Sequence, residues 1–175
     1  MNETFETERL RAERIGRHHG PEFHRLHRDP DVARTIGGVL SDEALAEAFE
    51  KSLEHWDEHG FGPWMFYALE DGRFIGRGFV RWAEIDGARV CELGYAFLPA
   101  EWGRGFATET ARAMVRIAFD DVGVDEVVAV AVETNDPSMN VMRKIGMTYS
   151  HDCVYKTLPV RYFRIERSSA RPEST

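Results

Sequence analysis

The sequence predicts one mixed α/β domain: a mostly antiparallel sheet of about seven strands, a central parallel βαβ unit and about four helices. Three observations lead there. Short apolar segments flank Asp71-Gly72 and Asp86-Gly87, dipeptides that favour tight turns. A strand-like segment at 92–98, a helix-like one at 108–122 and a second strand at 126–132 follow in the order of a parallel, right-handed βαβ unit. The run at 126–132 is almost unbroken in its apolar character, as in a strand covered on both faces.

Taken in order, residues 4–15 read as a first strand with a polar edge, and 21–28 as a short helix ended by Asp29-Pro30. A longer helix follows. Ser41 can cap it, Asp42 and Glu43 sit in its first turn, and Leu45, Ala48, Phe49, Ser52 and Trp56 recur on one face before Gly60 closes it. Strands at 64–69 and 74–82 flank Asp71-Gly72. Residues 83–89 make a second turn into the strand at 92, and Ala111, Met114, Val115 and Ala118 form the buried stripe of the next helix. Asp136 can cap a short helix with Pro137 at its first position and Gly146 at its end. Strands at 147–155 and 160–167 complete a domain of residues 4–167. The polar tail at 168–175 is expected to fray.

Composition narrows the function. With 22 Lys and Arg against 30 Asp and Glu the net charge is −8, which argues against a nucleic-acid surface and favours a cationic partner. Two cysteines, Cys91 and Cys153, show no metal spacing. The polar N-terminus is unlike a signal peptide, and no apolar run is long enough to span a bilayer. A cytoplasmic protein without membrane or nucleic-acid partners is expected, and a homodimer is compatible with the composition.

The most telling stretch is Trp102-Gly103-Arg104-Gly105-Phe106-Ala107-Thr108-Glu109, between a strand and a helix. A glycine-rich turn at a helix N-terminus presents backbone N–H groups to an anion, and the helix dipole adds to them. A P-loop would need Lys and then Ser or Thr after the last glycine, and neither occurs. The dinucleotide fingerprint meets Thr108 where its third glycine belongs. The remaining reading, a G-x-A loop after a strand, fits Gly105-Phe106-Ala107.

Around that loop, Glu92-Leu93-Gly94-Tyr95-Ala96-Phe97-Leu98-Pro99, Asn135-Asp136-Pro137-Ser138 and Lys144-Ile145-Gly146-Met147 stand in the order and spacing of GNAT N-acetyltransferases. With Thr7-Glu8-Arg9-Leu10 and Tyr162-Phe163-Arg164-Ile165, the chain resembles the branch holding ribosomal-protein alanine and serine N-acetyltransferases. Trp102 replaces the Gln or Arg that begins many such loops.

The resemblance implies acetyl-CoA as cosubstrate, no metal, and an amine acceptor: a protein N-terminus or a small amine such as a polyamine or aminoglycoside. It implies that Gly103, Arg104, Gly105, Ala107 and Thr108 bind the pyrophosphate. Main chain near Phe97 and Leu98, with Asn135 and Asn140, would hold the pantetheine arm. Local cations would offset the acidic field, with Arg104, Arg143 and Lys144 the candidates. Ser138, on the inward face with Val141, Met142 and Ile145, is the implied donor to the departing thiolate, and Tyr149 the substitute. Glu92, at the start of its strand with Gly94, Ala96 and Leu98 on its face, is the candidate base, acting directly or through water.

Two rivals remain: a non-catalytic acyl-CoA-binding module, and a zinc hydrolase suggested by His55-Trp56-Asp57-Glu58-His59. Trp56 belongs to the buried stripe and Gly60 ends the helix at once, so a solvated helix end is expected there. The same is expected of His24 and His27.

Overall fold

The computed structural model describes residues 3–170, with the side chains of 169–170 left out. Eight strands, β1 (Thr4–Glu6), β2 (Leu10–Arg14), β3 (Pro63–Ala68), β4 (Phe74–Ile85), β5 (Ala88–Phe97), β6 (Glu126–Val132), β7 (Thr148–Tyr155) and β8 (Leu158–Glu166), form one sheet in the order β1-β2-β3-β4-β5-β6-β8-β7. Every pairing is antiparallel except β5 with β6.

The expected first strand is a hairpin, β1 (Thr4–Glu6) and β2 (Leu10–Arg14). Thr7 N–H donates to the Leu10 carbonyl at 2.8 Å, while Thr7 Oγ1 accepts from the Leu10 N–H in place of a backbone carbonyl and so tightens the turn. Helix α1 (Gly20–Arg28) ends at Asp29 as expected. Asp29 also starts an unanticipated helix, α2 (Pro30–Thr35), by accepting from Asp31 and Val32 N–H. Helix α3 (Asp42–His59) has Ser41 as its cap, Gly60 in the left-handed region at its end, and Leu45, Phe49, Ser52 and Trp56 buried.

Strand β3 (Pro63–Ala68) pairs with β4 (Phe74–Ile85), which runs into β5 (Ala88–Phe97) through a two-residue turn. Asp86 and Gly87, both at positive φ, occupy that turn, as a type I′ hairpin requires. The turn is therefore shorter than the 83–89 segment read from sequence. Helix α4 (Phe106–Ile117) closes with one wider turn, Ala118–Val122, before β6 (Glu126–Val132). Helix α5 (Asp136–Lys144), β7 (Thr148–Tyr155) and β8 (Leu158–Glu166) follow.

A single helical turn, α6 (Arg167–Ala170), opens the segment read as a tail, and its residues 171–175 lie outside the described part. Among the described residues no helix is long and apolar enough to cross a membrane.

Helices α4 and α5 pack against one another, and Met114 of α4 lies against Gly78 of β4. Phe23 and His27 of α1 lie against Arg77 on the other face of β4. Trp64, Phe66, Phe163, Leu93 and Val127 are fully buried within the main core.

Candidate active site

Three local structures converge at the C-terminal half of β5. The first is the loop into α4. Gly103 and Gly105 adopt positive φ of 73° and 82°, conformations that other residues rarely hold. The helix begins at Phe106, two residues before the sequence-predicted start, because Gly105 turns the chain and buried Phe106 anchors the first turn.

No side chain caps that helix, and its first backbone bond runs from Glu109 N–H to the Gly105 carbonyl. The N–H groups of Phe106, Ala107 and Thr108 therefore lack helical partners at the positive end of the dipole, the arrangement an anion completes. Trp102 has a clear use: its Nε1 donates to the Phe97 carbonyl at 2.8 Å and pins the loop to the end of β5.

The β1–β2 turn braces this loop. Thr7 Oγ1 donates to Glu109 at 2.6 Å, and Arg9 reaches Glu109 through its backbone N–H and its Nε. Arg9 Nη1 also donates to the Arg104 carbonyl at 2.8 Å, while its guanidinium lies 4.5 Å from the Phe106 ring. Burial alone would raise the Glu109 pKa, but the bonds from Thr7 and Arg9 outweigh it and hold the carboxyl below its ordinary value. The Thr7-Glu8-Arg9-Leu10 motif thus has a structural role that its sequence position did not disclose. The Arg104 side chain departs from expectation. Its Nη1 donates to Glu101 at 2.8 Å beside Arg73, and its guanidinium lies 5.1 Å from the Phe106 ring, so the charge is shared with a carboxylate while staying at the helix start.

The second structure is a fork. Strands β5 and β6 share one paired position, Glu92 with Val128. Leu98 N–H is taken by the Ile75 carbonyl of β4. By alternation, the even-numbered residues of β5 point their backbone groups toward β4 and the odd-numbered ones toward β6. Beyond Glu92, the Tyr95 main chain and the Phe97 N–H consequently face an unpaired gap. The main-chain groups left for an added extended segment are therefore those of Tyr95 and Phe97, not Leu98.

The third structure is the start of α5. Asn135, rather than Asp136, is its cap: Oδ1 accepts from Ser138 N–H at 3.2 Å and Nδ2 donates to the Thr35 carbonyl. Each end of that amide makes one bond, so Asn135 ties α5 to α2 and keeps one N–H and one lone pair to spare. Asn140 is exposed and accepts from Arg143 on the next turn. Ser138 is partly buried, and its Oγ lies 3.1 Å from the hydroxyl of Tyr95, which also bonds the Ser138 carbonyl. Burial raises the Tyr95 pKa to about 12, against a smaller opposing effect of Ser138, so its proton is retained at neutral pH. Tyr149, by contrast, is half exposed and packs on Phe163.

Glu92 is not at a solvated strand edge. It is 4% exposed in the middle of β5, on the face opposite Tyr95. Arg81 Nε and Nη2 both approach its Oε2 at 2.8 Å, and the Tyr155 hydroxyl donates to the same oxygen at 3.3 Å. Oε1 has no hydrogen bond among the described residues.

His27 is likewise buried rather than solvated. Its Nδ1 donates to the Phe23 carbonyl and its Nε2 accepts from Arg77 Nε at 3.1 Å. Burial, then the Arg77 charge, lowers its pKa to about 3. His55 bonds the Phe61 carbonyl through Nδ1 and accepts from Trp82 N–H through Nε2, which uses both ring nitrogens within the fold. Burial pushes the Cys91 thiol up to about 12 and also raises the Cys153 thiol, so neither is poised as a nucleophile.

Sequence and structure comparisons place the whole fold among known proteins. The acetyltransferase (GNAT) domain family matches residues 9–148. The uncharacterized protein YkkB of Bacillus subtilis is 30% identical over 73% of this chain and 74% of its own length. The FsC-acetyl coenzyme A-N(2)-transacetylase of Aspergillus fumigatus is 28% identical over 83% of this chain, which spans 65% of that relative.

An acetyltransferase from Agrobacterium tumefaciens shares the fold with a TM-score of 0.85 at 23% identity, over 95% and 96% of the two chains. The ribosomal-protein α-N acetyltransferase RimL with coenzyme A does so at 0.77 and 15%, over 97% and 100%. The spermidine N-acetyltransferase of Vibrio cholerae with CoA and spermine does so at 0.75 and 14%, over 92% and 97%.

Proposed function

The chain belongs to the GNAT acetyltransferase family and is an N-acetyltransferase using acetyl-CoA, and we propose that it transfers the acetyl group directly to a primary amine, foremost the α-amine of a peptide. The observation that carries this reading is the one-position fork between β5 and β6, which ends at an uncapped helix N-terminus.

The N–H groups of Phe106, Ala107 and Thr108, with the Gly103–Gly105 backbone, would hold the pyrophosphate, and Tyr95 and Phe97 main chain the pantetheine arm. When bound, acetyl-CoA supplies the activated acyl group. Glu92 Oε1, oriented by the three bonds on Oε2, takes a proton from the amine directly or through one water. On the opposite face, Ser138 Oγ donates to the developing thiolate, and Tyr95, whose single hydroxyl proton rests on the Ser138 carbonyl, can turn it to Oγ as charge develops. Orientation in the fork supplies much of the remaining rate.

RimL is named for a ribosomal-protein α-amine and the Vibrio cholerae enzyme for spermidine. The peptide α-amine is preferred here because Arg81 stands on Glu92 and Arg77 lies further along the same face, a poor setting for a polycation.

Calorimetry with acetyl-CoA tests the cradle. Gly105→Val should remain folded but lose most affinity, because valine is strained at φ 82° and the first-turn N–H groups lose their aim. Wild-type affinity in folded Gly105→Val protein would refute the phosphate-loop assignment.

A further inference from the structure

On β4, Arg77, Phe79 and Arg81 share one face and stand opposite Ala96, Gly94 and Glu92 of β5. Arg81 is matched by Glu92, but Arg77 has no such carboxylate. Its Nε donates to the neutral His27 ring, and its guanidinium lies 5.5 Å from the Phe23 ring centre and 5.2 Å from that of Phe79. Neither Nη1 nor Nη2 makes a hydrogen bond or ion pair with any described residue, although the residue is only partly exposed. A half-buried cation held by a neutral acceptor and two rings is costly unless something else neutralises it. Burial, then the nearby Arg81 charge, presses its pKa down to about 9, against a smaller opposing effect of Glu92 at longer range. An arriving anion would relieve both.

Both arginines lie against the same ring. Phe79 lies between them, 4.2 Å from the Arg81 guanidinium, and a Cβ at Gly94 would fall 2.2 Å from the Phe79 ring. Glycine at that position lets the ring lie across the sheet. The β7–β8 turn adds a third cation: Lys156 and Thr157 both hold positive φ, and Lys156 sits 5.1 Å from the Tyr155 ring beside the Glu92 cluster. Three cations thus face one carboxylate in a chain of net charge −8.

Resting on the N-acetyltransferase reading, we infer that the acceptor carries a carboxylate a few bonds from its amine, and that Arg77 receives it, with Arg81 and Lys156 alongside. The Glu92 and Ala96 positions are roughly 13 Å apart along the strand, and the Arg77 and Arg81 guanidinium groups both lie within 5.2 Å of the Phe79 ring between them. A free α-amino acid and an acidic peptide N-terminus share this chemistry. A polyamine does not.

The test measures CoA release at saturating acetyl-CoA with matched acceptors. Alanine is compared with alaninamide, amidated alanylglutamate with amidated alanylglutamine, and spermidine is the cationic control. A carboxylate partner should have a kcat/KM higher by about 10- to 100-fold in at least one pair, the range of one charged hydrogen-bonded contact. The pair that responds identifies the source. Arg77→Met should remove that preference through KM, Arg77→Lys should retain part of it, and both should bind acetyl-CoA as tightly as wild type by calorimetry.

Equal rates within both pairs, spermidine as the best acceptor, or loss of acetyl-CoA affinity in Arg77→Met would overturn the inference. Should no amine turn over, titration of N-acetylalanine and N-acetylalaninamide into the CoA-mixed protein still decides it. Tighter, Arg77-dependent binding of the acid upholds the arginine site while the transfer reading fails, and equal binding overturns it.

Discussion

The two faces of β5 carry different chemistry. On one, Tyr95 meets Ser138 through neutral hydroxyls, against helices α4 and α5. On the other, Glu92 meets Arg81 and Tyr155, with Arg77 and His27 further along. Strand alternation alone separates them, since residues three apart point to opposite sides. An acyl transfer has two proton problems, one at the amine and one at the departing sulfur. On the proposed assignment they are met from opposite sides of one strand, by Glu92 on one and Ser138 on the other.

Breaking the faces one at a time should produce unequal effects. Glu92→Gln should be the most damaging, lowering kcat by roughly 10²–10⁴-fold for a directly acting base and by less if a water relays the proton. Acetyl-CoA affinity, read by calorimetry, should stay near wild type. Ser138→Ala should cost about 10–10³-fold in kcat, the range of one lost donor or somewhat less, again without a matching loss of cofactor binding. Tyr95→Phe leaves Ser138 in place and should cost less than Ser138→Ala, on the order of 10-fold or below. A Tyr95→Phe loss exceeding that of Ser138→Ala would make Tyr95 the direct donor.

The smallest effect is on stability. His27 has its pKa lowered from 6.5 to about 3 in the fold, so the unfolded chain binds the proton more readily. The stability this provides is present above about pH 6.5 and is lost as pH falls toward 3. Wild-type Tm should therefore drop more steeply between pH 7 and 4.5 than that of His27→Gln. Tyr95→Phe on the hydroxyl face should leave that slope unchanged. Parallel Tm profiles for wild type and His27→Gln would show that His27 does not titrate in this way.

Much of this was legible in the residues. The GNAT-like loop, the βαβ unit and the Asp71-Gly72 and Asp86-Gly87 turns identify the sheet, because glycine and turn chemistry are local properties. The start of α4 was missed by two residues, since the burial of Phe106 that sets it depends on Arg9 and Glu109, a hundred residues apart in sequence. The Glu92–Arg81 pair was within reach: Arg81 lies five residues before Asp86 and Glu92 five after Gly87, so a two-residue turn places them opposite. Reading 83–89 as a longer turn concealed it. The buried state of His27 and the bonded amide of Asn135 could not be read locally, because Arg77 and Thr35, their partners, come from other elements.

The division of labour across β5 is tested most directly by the pH dependence of kcat/KM for the best amine in wild type, Glu92→Gln and Ser138→Ala. The amine loses its own proton as pH rises, so the Glu92→Gln deficit should shrink steadily from neutral to alkaline pH. The Ser138→Ala deficit should not shrink, because the sulfur still needs a donor when the amine is already neutral. Deficits with the same pH dependence, or recovery of Ser138→Ala alone at high pH, would contradict the assignment of base and donor to opposite faces.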